Sequence, residues 1–487
     1  MRKLFLSILL ISNIVLADDV KKVENYKITE IYYNNLINEK PLDLASLNLF
    51  INLMPKGGDI HHHYSGSIYA ETYLDWVDQQ GLCIYINDTP KHKKFTVEKN
   101  NKINNNHNKN CLSSSKIRAN DEIYSNVIKT WSNKDYNNHY NIQLQPDLKF
   151  FNTFSYFSSL SADNYNKGLL LLKQRAINEN VSYIETMLSA SPTLKIPRIS
   201  ASLNKSTTKI SNDEKIKIIK DGIFILKNDT KFTKEINDYS NKIDTAAFGL
   251  NDDNFTIRFQ SYVFRNNEPD IVLSGLYSAF ESASNNKNVV AVNIVGPENG
   301  FISMRDYNLH MLMFKVLKEE FPTVNLSLHS GELVLGMVPP EGLKYHIRHA
   351  IEVAGAKRIG HGIDITFDKD PISLLKLMNK NKIAVEINLT SNYFILGIKP
   401  NEHPIQLYQK FNVPYIISTD DSGVSRNNLS NEYLKYATHY QKNYQSLKNT
   451  VYRSIIYSFL DDKNKKNELL KLDHLFEIFE SKIAAMY

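Results

Sequence analysis

The sequence predicts an α/β protein built around a (β/α)8 TIM barrel. Short apolar runs rich in β-branched residues recur eight times, and helical patterns separate most of them. Near-continuous apolar strands that alternate with helices are typical of a parallel sheet, and eight such units fit a closed barrel. An open doubly wound sheet is the alternative. It lacks support, because no strand is followed by GxGxxG or GxxxxGK[ST].

Each predicted strand ends in polar or small residues. The helical pattern is clearest at 306–321 and 371–380, where apolar residues recur with helical spacing. The eight predicted strands are the run into 59–63, then 181–189, 255–264, 289–298, 324–332, 358–365, 383–392 and 413–421.

The first residues predict a signal peptide over 1–17. Arg2 and Lys3 form a basic start, and 4–15 is an apolar run too short to span a bilayer comfortably. Ala17 is a small residue of the kind that precedes a cleavage site. A buried N-terminal helix is the alternative. We therefore expect export, to a periplasm or outside the cell, with no lipid anchor because no cysteine follows the cut.

Composition and charge are those of a soluble globular enzyme. The 487 residues are 42% hydrophobic and 23% charged. The formal net charge of +6 falls to +4 once Arg2 and Lys3 leave with the signal peptide. That is weak for a chain of this length, so it indicates no nucleic-acid partner. No other stretch is long and apolar enough to predict a membrane helix.

Three segments lie outside the simple strand–helix repeat. We predict a helical leader over 18–50, before a barrel that spans 51–487. Residues 78–145 contain a polar Asn/Lys tract and predict an inserted loop or small subdomain after the first βα unit. Cys83 and Cys111 lie in this insertion, and a disulfide is plausible in an oxidising compartment. Two free buried thiols are the alternative.

Reactive side chains cluster at four of the predicted strand ends. In a parallel barrel the carboxyl ends of the strands meet at one face, where catalytic residues lie. The residues found there are His61, His63, His329, Glu332, His361, Asp420 and Asp421.

Four of these residues form a candidate metal set. In a strand, His61 and His63 point to the same side and His62 points to the other. An HxH pair by itself is more often two polar residues on an exposed edge than a metal site. Taken alone, His329 would be interpreted as a buried core histidine with its hydrogen bonds satisfied, not as a metal ligand. Asp420 is costly to bury without a cation. Together, three histidines and an aspartate predict one Zn²⁺ per chain with a position left for water, whose pKa the ion lowers.

Two further residues are candidates for proton transfer. His361 lies between glycines and is not needed as a ligand, so it can orient or deprotonate the water. Glu332 can donate a proton to a substrate nitrogen if a dry site raises its pKa. Taken singly, each is as well explained as a capping histidine or a surface acid.

Five motifs carry a family resemblance. "MPKGGDIHHHYSGS", "LHSGE", "RIGHG", "LTSN" and "STDD" occur in the order and rough spacing of the adenosine deaminase family. "YIETMLS" and "VNIVGPE" agree with it, and the resemblance covers about 50–480. Three features resemble the secreted branch of the family, the adenosine-deaminase-related growth factors. They are the predicted export, the "MPKGG" form of the first motif and an insertion with two cysteines.

The resemblance implies a fold, a reaction and a set of roles. It implies a zinc-dependent barrel that converts adenosine, and 2′-deoxyadenosine, to inosine and ammonia. Hydroxide attacks C6 while Glu332 protonates N1, and His361 positions and deprotonates the water. Asp421 contacts N7 and the backbone at Gly296 contacts N3. The implied metal ligands are His61, His63, His329 and Asp420. The implied catalytic residues are Glu332, His361 and, again, Asp420. Secreted relatives also suggest a homodimer.

The sequence departs from the family pattern at one substrate contact. The family often shows HxHLDG, whose aspartate contacts the ribose 5′-hydroxyl, and here Ser65 takes that place. Another 6-aminopurine, such as adenine or a 5′-modified adenosine, is therefore an alternative substrate. A growth-factor-like binding protein, acting through 78–145, is the alternative from another class. The HxE…PCxxC and HExxH zinc motifs are absent.

Overall fold

A parallel eight-stranded sheet, rolled into a nearly closed barrel, forms the centre of the protein. The computed structural model describes residues 2–88, 93–99, 110–136, 144–206, 210–441 and 443–487. The strands in chain order are β1 Gly57–His63, β2 Leu82–Tyr85, β3 Val97–Lys99, β4 Cys111–Leu112, β5 Val181–Ala190, β6 Thr256–Phe264, β7 Val289–Val295, β8 Asn325–Ser330, β9 Arg358–His361, β10 Ala384–Ile387 and β11 Tyr415–Ile417.

The barrel strands follow one another in the order β1-β5-β6-β7-β8-β9-β10-β11, and each pairs in parallel with the next. A parallel bridge between His62 and Asp420 joins the two ends of the sheet. Its bonds run from Asp420 N–H to the His61 carbonyl (2.9 Å) and from His63 N–H to the Asp420 carbonyl (3.2 Å). The predicted (β/α)8 barrel is confirmed.

Burial on both faces explains why the strand sequences are almost continuously apolar. Leu328, Ile359, Ile387 and Ile416 are fully buried in four different strands. Helices cover the outside of the barrel, and side chains fill its inside.

Helices surround the barrel and extend it at both chain ends. They are α1 Arg2–Asn38, α2 Leu44–Leu53, α3 Tyr64–Ser67, α4 Ala70–Gln79, α5 Ser114–Arg118, α6 Asp121–Thr130, α7 Pro146–Thr153, α8 Ser158–Ala162, α9 Tyr165–Asn178, α10 Pro197–Ser206, α11 Asn212–Asn228, α12 Thr230–Ala247, α13 Pro269–Asn285, α14 Phe301–Glu320, α15 His346–Glu352, α16 Pro371–Asn381, α17 Leu389–Leu396, α18 Ile405–Lys410, α19 Ser422–Ser425, α20 Leu429–Tyr440, α21 Tyr444–Ile456 and α22 Asp462–Met486, with 3-10 turns at Phe154–Tyr156, Pro340–Leu343 and Ile363–Phe367.

The N-terminal leader is helical and packs on the last helix of the chain. Helices α1 and α2 hold the region predicted as helical, and α1 lies along α22. Phe50 places its ring 5.2 Å from Tyr33 and 5.1 Å from Phe479, so aromatic contacts fix the leader to the barrel. The predicted signal peptide lies in the first half of α1, where side chains are outside the described residues. Within the described residues, no helix has the length and apolarity needed to cross a membrane.

The insertion between α4 and α9 begins with a small antiparallel sheet, β3-β2-β4. A disulfide joins Cys83 on β2 to Cys111 on β4. Asp78 at the end of α4 accepts hydrogen bonds from the backbone N–H groups of Ser114 (2.7 Å) and Ser115 (3.0 Å), which ties the insertion to the first βα unit. Most of the Asn/Lys tract falls outside the described residues.

Candidate active site

Four histidines and an aspartate meet at the carboxyl ends of the barrel strands. His63 Nε2 lies 3.2 Å from His329 Nε2 and 3.2 Å from Asp420 Oδ1. His61 Nε2 lies 3.5 Å from the same Asp420 oxygen. His361 Nε2 lies 4.0 Å from the other one. The strand ends of β1, β8, β9 and β11 therefore bring these predicted site residues to one point.

The chemistry of this group fits a cation. Ligand atoms of His61, His329, His361 and Asp420 all lie within 4.8 Å of one another, and so do those of His63, Asp420 and Asp421. Among the described residues, the buried His61 Nε2 makes no well-formed hydrogen bond and has only a long contact of 3.5 Å with Asp420 Oδ1. A buried imidazole nitrogen that faces a carboxylate without a well-formed hydrogen bond suits a metal ligand, and imidazole with carboxylate is a set that zinc accepts.

Three of the four central histidines are each held on the side away from the centre by a second polar side chain. Glu386 Oε2 lies 2.6 Å from His61 Nδ1, Asn293 Oδ1 lies 2.9 Å from His329 Nδ1, and Asn392 Nδ2 lies 2.9 Å from His361 Nδ1. Such partners fix the tautomer and orientation of a metal-site histidine.

Sequence reasoning missed these three partners. The available signal was a polar residue inside an apolar strand: Glu386 in "IAVEINLTSN" and Asn293 in "VVAVNIVGPE". A buried polar side chain in a strand needs a bonding partner, which marks it as a candidate.

Charge coupling at the centre favours a bound positive charge. Burial opposes the charged form of His61, but hydrogen bonds to Asp420 and Glu386 outweigh it and raise the His61 pKa to about 10. Burial likewise opposes the charged form of Asp420, and its hydrogen bonds to His61 and His63 hold the pKa of this carboxyl well below its usual range. In the protein alone, a proton on His61 thus neutralises the Asp420 carboxylate.

Glu332 and His361 have the protonation states that their predicted roles need. Burial, followed by the charges of Asp420 and Glu298, raises the Glu332 pKa well above its normal value, so the carboxyl keeps its proton. Burial lowers the His361 pKa to about 3, so its ring is neutral and can accept a proton. His361 Nε2 lies 3.8 Å from Glu332 Oε1. The pair can act as acid and base.

The loop that carries Glu332 rests on Glu298, which the sequence reasoning did not identify. Glu298 accepts hydrogen bonds from the backbone N–H groups of Gly331 (3.1 Å) and Glu332 (2.9 Å). It also lies 2.5 Å from His346 Nδ1. Arg265 donates to the His329 carbonyl at 2.5 Å. These contacts fix the position of Glu332 relative to His329.

Two site residues have a left-handed backbone. His361 has a φ of 69° and Asp420 a φ of 63°. Such angles are unfavourable for residues other than glycine, and they cluster at functional sites where the surroundings enforce them. Here the bonds between β1 and Asp420 supply part of that constraint.

A cavity of about 380 Å³ opens above these residues. Predicted substrate contacts Ser65, Gly296 and Asp421 border it, together with His63, His329, Glu332, His361 and Asp420. Gly66 has no room for a side chain, because an added Cβ would lie 1.6 Å from Asp421 Oδ1. The first motif therefore packs directly on Asp421.

His62 lies on the other side of its strand, as the alternation of β1 predicts. Its Nδ1 is 2.8 Å from Thr186 Oγ1, and its side chain borders a separate cavity of about 340 Å³. It takes no part in the central cluster.

Comparison with known proteins identifies the family. The family model named adenosine deaminase matches residues 172–475. The chain belongs to the adenosine deaminase family. The matched range contains His329, Glu332, His361 and Asp420, whereas His61 and His63 precede it and reach the same point through the barrel.

Relatives of this adenosine deaminase family member include bacterial enzymes. An adenosine deaminase from Clostridium perfringens is 30% identical over 204 residues, which is 41% of this chain and 55% of the relative. One from Enterococcus faecalis is 31% identical over 155 residues, 32% of this chain and 42% of the relative. The chain thus spans about half the length, or less, of the curated relatives it matches.

Solved structures of deaminases share the fold of this family member. Adenine deaminase from Arthrobacter aurescens gives a TM-score of 0.54 at 13% identity, over 87% of this chain and 99% of that chain. The Arabidopsis N6-mAMP deaminase gives a TM-score of 0.55 at 16% identity, over 88% and 99%. At these identities the likeness concerns the barrel and its helices.

Proposed function

We propose that the protein is a zinc-dependent hydrolytic deaminase that converts adenosine and 2′-deoxyadenosine to inosine or deoxyinosine and ammonia. One observation carries the proposal. A cluster of four histidines and Asp420 lies beside the buried, protonated Glu332, at the floor of a cavity large enough for a nucleoside. Family membership supports the same reaction.

His61, His63, His329 and Asp420 would hold the zinc ion. When bound, zinc acts as a Lewis acid and makes hydroxide available near neutral pH. His61 is the ligand best prepared by its surroundings, because Glu386 holds its Nδ1 and leaves Nε2 toward the centre.

The remaining residues bind the purine and move protons. The neutral His361 accepts a proton from the water that adds to C6, and Glu332 donates its proton to N1. His361 then passes its proton to the amino group, the C6 hydroxyl gives its proton back to Glu332 as the carbonyl forms, and the C6–N bond breaks with release of ammonia. Burial and the charge of Asp420 raise the Asp421 pKa well above its usual range, so this carboxyl keeps a proton that it can donate to N7. The Gly296 N–H would meet N3.

The cavity favours a nucleoside over a nucleotide. Among the described residues that line it there is no lysine or arginine, whereas Glu332, Asp420 and Asp421 are carboxyl groups. A phosphate placed there would lose its hydration without gaining a counter-ion. The proposed substrate is therefore uncharged at its 5′ end.

The decisive experiment measures adenosine-to-inosine conversion and metal content on the same sample of purified 18–487. We expect turnover with about one zinc per chain. Glu332→Gln should keep its zinc and lose activity by about 10²- to 10⁴-fold, because the amide cannot donate a proton of the same acidity to N1. Bound zinc without turnover of adenosine or deoxyadenosine by the unaltered protein would contradict the proposal.

We also propose that the protein is exported and that residues 1–17 are removed. The basic start, the apolar run and Ala17 support this, and the Cys83–Cys111 disulfide suits an oxidising compartment. N-terminal sequencing of the protein recovered from the periplasm or the medium should begin at Asp18. Recovery only from the cytoplasm, with an intact start, would refute export.

A further inference from the structure

Resting on the proposed function, we infer that Glu298, anchored by His346 and Arg265, is the positioning residue that aims the Glu332 carboxyl at the substrate. Glu298 follows β7 and Glu332 follows β8, so their contact joins two neighbouring loops at the carboxyl ends of the strands. Glu298 is only 2% exposed, and among the described residues that line the cavity proposed for the nucleoside, Glu332 is present and Glu298 is not. Its effect on the reaction would therefore pass through Glu332.

The peptide group that leads into Glu332 is hydrogen-bonded on both of its edges. On one edge, Glu298 accepts the backbone N–H groups of Gly331 (3.1 Å) and Glu332 (2.9 Å). On the other edge, the Gly331 carbonyl accepts the N–H groups of Ile363 (2.8 Å) and Asp364 (3.2 Å), in the turn after β9. Without Glu298, two buried donors would lose their acceptor, and a peptide group bonded on one edge only is free to turn.

The conformation of Gly331 makes this anchoring necessary. Its φ is 77°, and an added Cβ would lie 2.5 Å from Asp364 Oδ1 and 2.8 Å from Ile347 Cγ1. Only glycine fits, and glycine has the widest choice of backbone conformations of any residue. No side chain of Gly331 can fix the turn, so the hydrogen bonds on its two edges supply the constraint.

Glu298 is itself held by two side chains. Its Oε1 lies 2.5 Å from His346 Nδ1, and the His346 ring stacks on Tyr307 with centroids 3.6 Å apart and 9° between the planes. Its Oε2 lies 3.6 Å from Arg265 Nη1. Burial opposes the charged form of Glu298, but the charge of Arg265 and the bond to His346 lower its pKa to about 2. An ionised carboxylate is a stronger acceptor for N–H groups than a neutral oxygen.

The loop that carries Glu298 is held independently of Glu332. Asn266, in the loop after β6, donates through Nδ2 to the Pro297 carbonyl at 3.1 Å. The segment with Gly296, proposed to meet N3 of the purine, therefore has its own support. Removal of the Glu298 carboxylate would release Glu332 while Gly296 stays in place, so proton donation to N1 would suffer more than binding.

The test measures kcat and KM for adenosine, together with zinc content, in the zinc-loaded protein. Glu298→Gln keeps the side-chain volume but places an NH2 group against at least one of the N–H donors, and we expect kcat to fall about tenfold with KM changed less than about threefold. Glu298→Ala should lower kcat by about 100-fold, the loss that a misplacement of about 1 Å produces. Both variants should retain zinc. If Glu298→Ala fails to fold, Glu298→Gln still tests the inference.

The matched control is Glu341→Gln. Glu341 is exposed on the 3-10 turn Pro340–Leu343, which belongs to the same loop after β8. Its substitution should leave kcat and KM unchanged. His346→Asn keeps an N–H donor near the place of Nδ1 and should retain more activity than His346→Leu, which has none.

A double-mutant cycle separates positioning from a merely structural role. In the Glu332→Gln protein, the further change Glu298→Gln should lower kcat by less than about threefold, because the carboxyl that Glu298 positions is already gone. The same tenfold loss in both backgrounds would mean that Glu298 acts independently of Glu332, and this would overturn the inference.

Crystal structures read the position of Glu332 without reference to activity. In Glu298→Ala, Glu332 Oε1 should leave its place 3.8 Å from His361 Nε2 by about 1 Å or more. An unmoved Glu332, or an unchanged kcat in both Glu298 variants, overturns this inference and leaves the deaminase proposal intact. No turnover of adenosine or deoxyadenosine by the unaltered protein overturns both.

Discussion

At the scale of single residues, the three consecutive histidines have different surroundings because a strand alternates. His61 and His63 face the centre, and His62 contacts Thr186 on the other side. The choice of His61 and His63 rather than His62 follows from this period of two, which needs no knowledge of the rest of the chain.

We expect His62→Ala to keep its zinc and most of its activity, with a loss of about 1–3 kcal/mol in unfolding free energy because a buried, bonded ring is removed. His61→Ala should lose both zinc and activity. Metal analysis, turnover and urea denaturation of the two variants check this. Release of zinc by His62→Ala alone would show that the alternation has been misread.

Zinc uptake should also release protons. In the protein alone, hydrogen bonds to Asp420 and Glu386 raise the His61 pKa to about 10, despite burial, so His61 is protonated at pH 7. Zinc must displace that proton, and its affinity therefore falls as the pH falls. Calorimetric titration of metal-free protein in buffers of different ionisation enthalpy should detect release of at least one proton per zinc. Binding with no proton exchange would contradict this protonation state.

At the scale of elements, one buried arginine connects four barrel strands. Arg358 on β9 donates at 2.5 Å both to Glu185 on β5 and to Glu386 on β10, and at 3.3 Å to the Ile60 carbonyl on β1. Among its partners is Glu386, the carboxylate that holds His61. Side chains in the interior of the barrel thus support the cluster of histidines and Asp420.

Arg358→Leu should lower the unfolding free energy by about 3–5 kcal/mol, because Glu185 and Glu386 would remain buried without their cation. Urea denaturation measures the change. The matched control is Arg198→Leu on α10, whose side chain is exposed, and which should change stability by less than about 0.5 kcal/mol. Equal effects in the two variants would show that the buried cluster does not stabilise the barrel.

The sequence predicted the strands but not the side chains that hold the histidines, because a strand is a local pattern and those contacts are not local. Because both faces of each strand are buried, each strand is a local apolar run such as "VNLSL", which can be recognised without knowledge of the fold. The roles of Glu386, Asn293 and Asn392 arise from histidines on other elements. Asn293 is 36 residues from His329, and Asn392 is 31 residues from His361. Only the assembled barrel brings these pairs together.

At the scale of the whole molecule, the insertion separates the first strand from the rest of the catalytic domain. The family match begins at residue 172, more than a hundred residues after His61. The insertion was predicted as a loop or small subdomain, and its helices α5 and α6 were not predicted individually because its composition is polar. The predicted barrel and the convergence of His61, His63, His329 and Asp420 nevertheless followed from strand ends alone.

The bridge between His62 and Asp420, which closes the barrel, bears on the resistance of the folded protein to proteolysis. The backbone of Asp420 hydrogen-bonds to the strand that carries His61 and His63, so the same short contact closes the barrel and holds the Asp420 carboxylate beside these histidines. The proposed zinc ion would link the first and last strands through these side chains. Loss of that ion would weaken this closing contact, so metal supply where the chain matures would affect how long each molecule survives proteolysis.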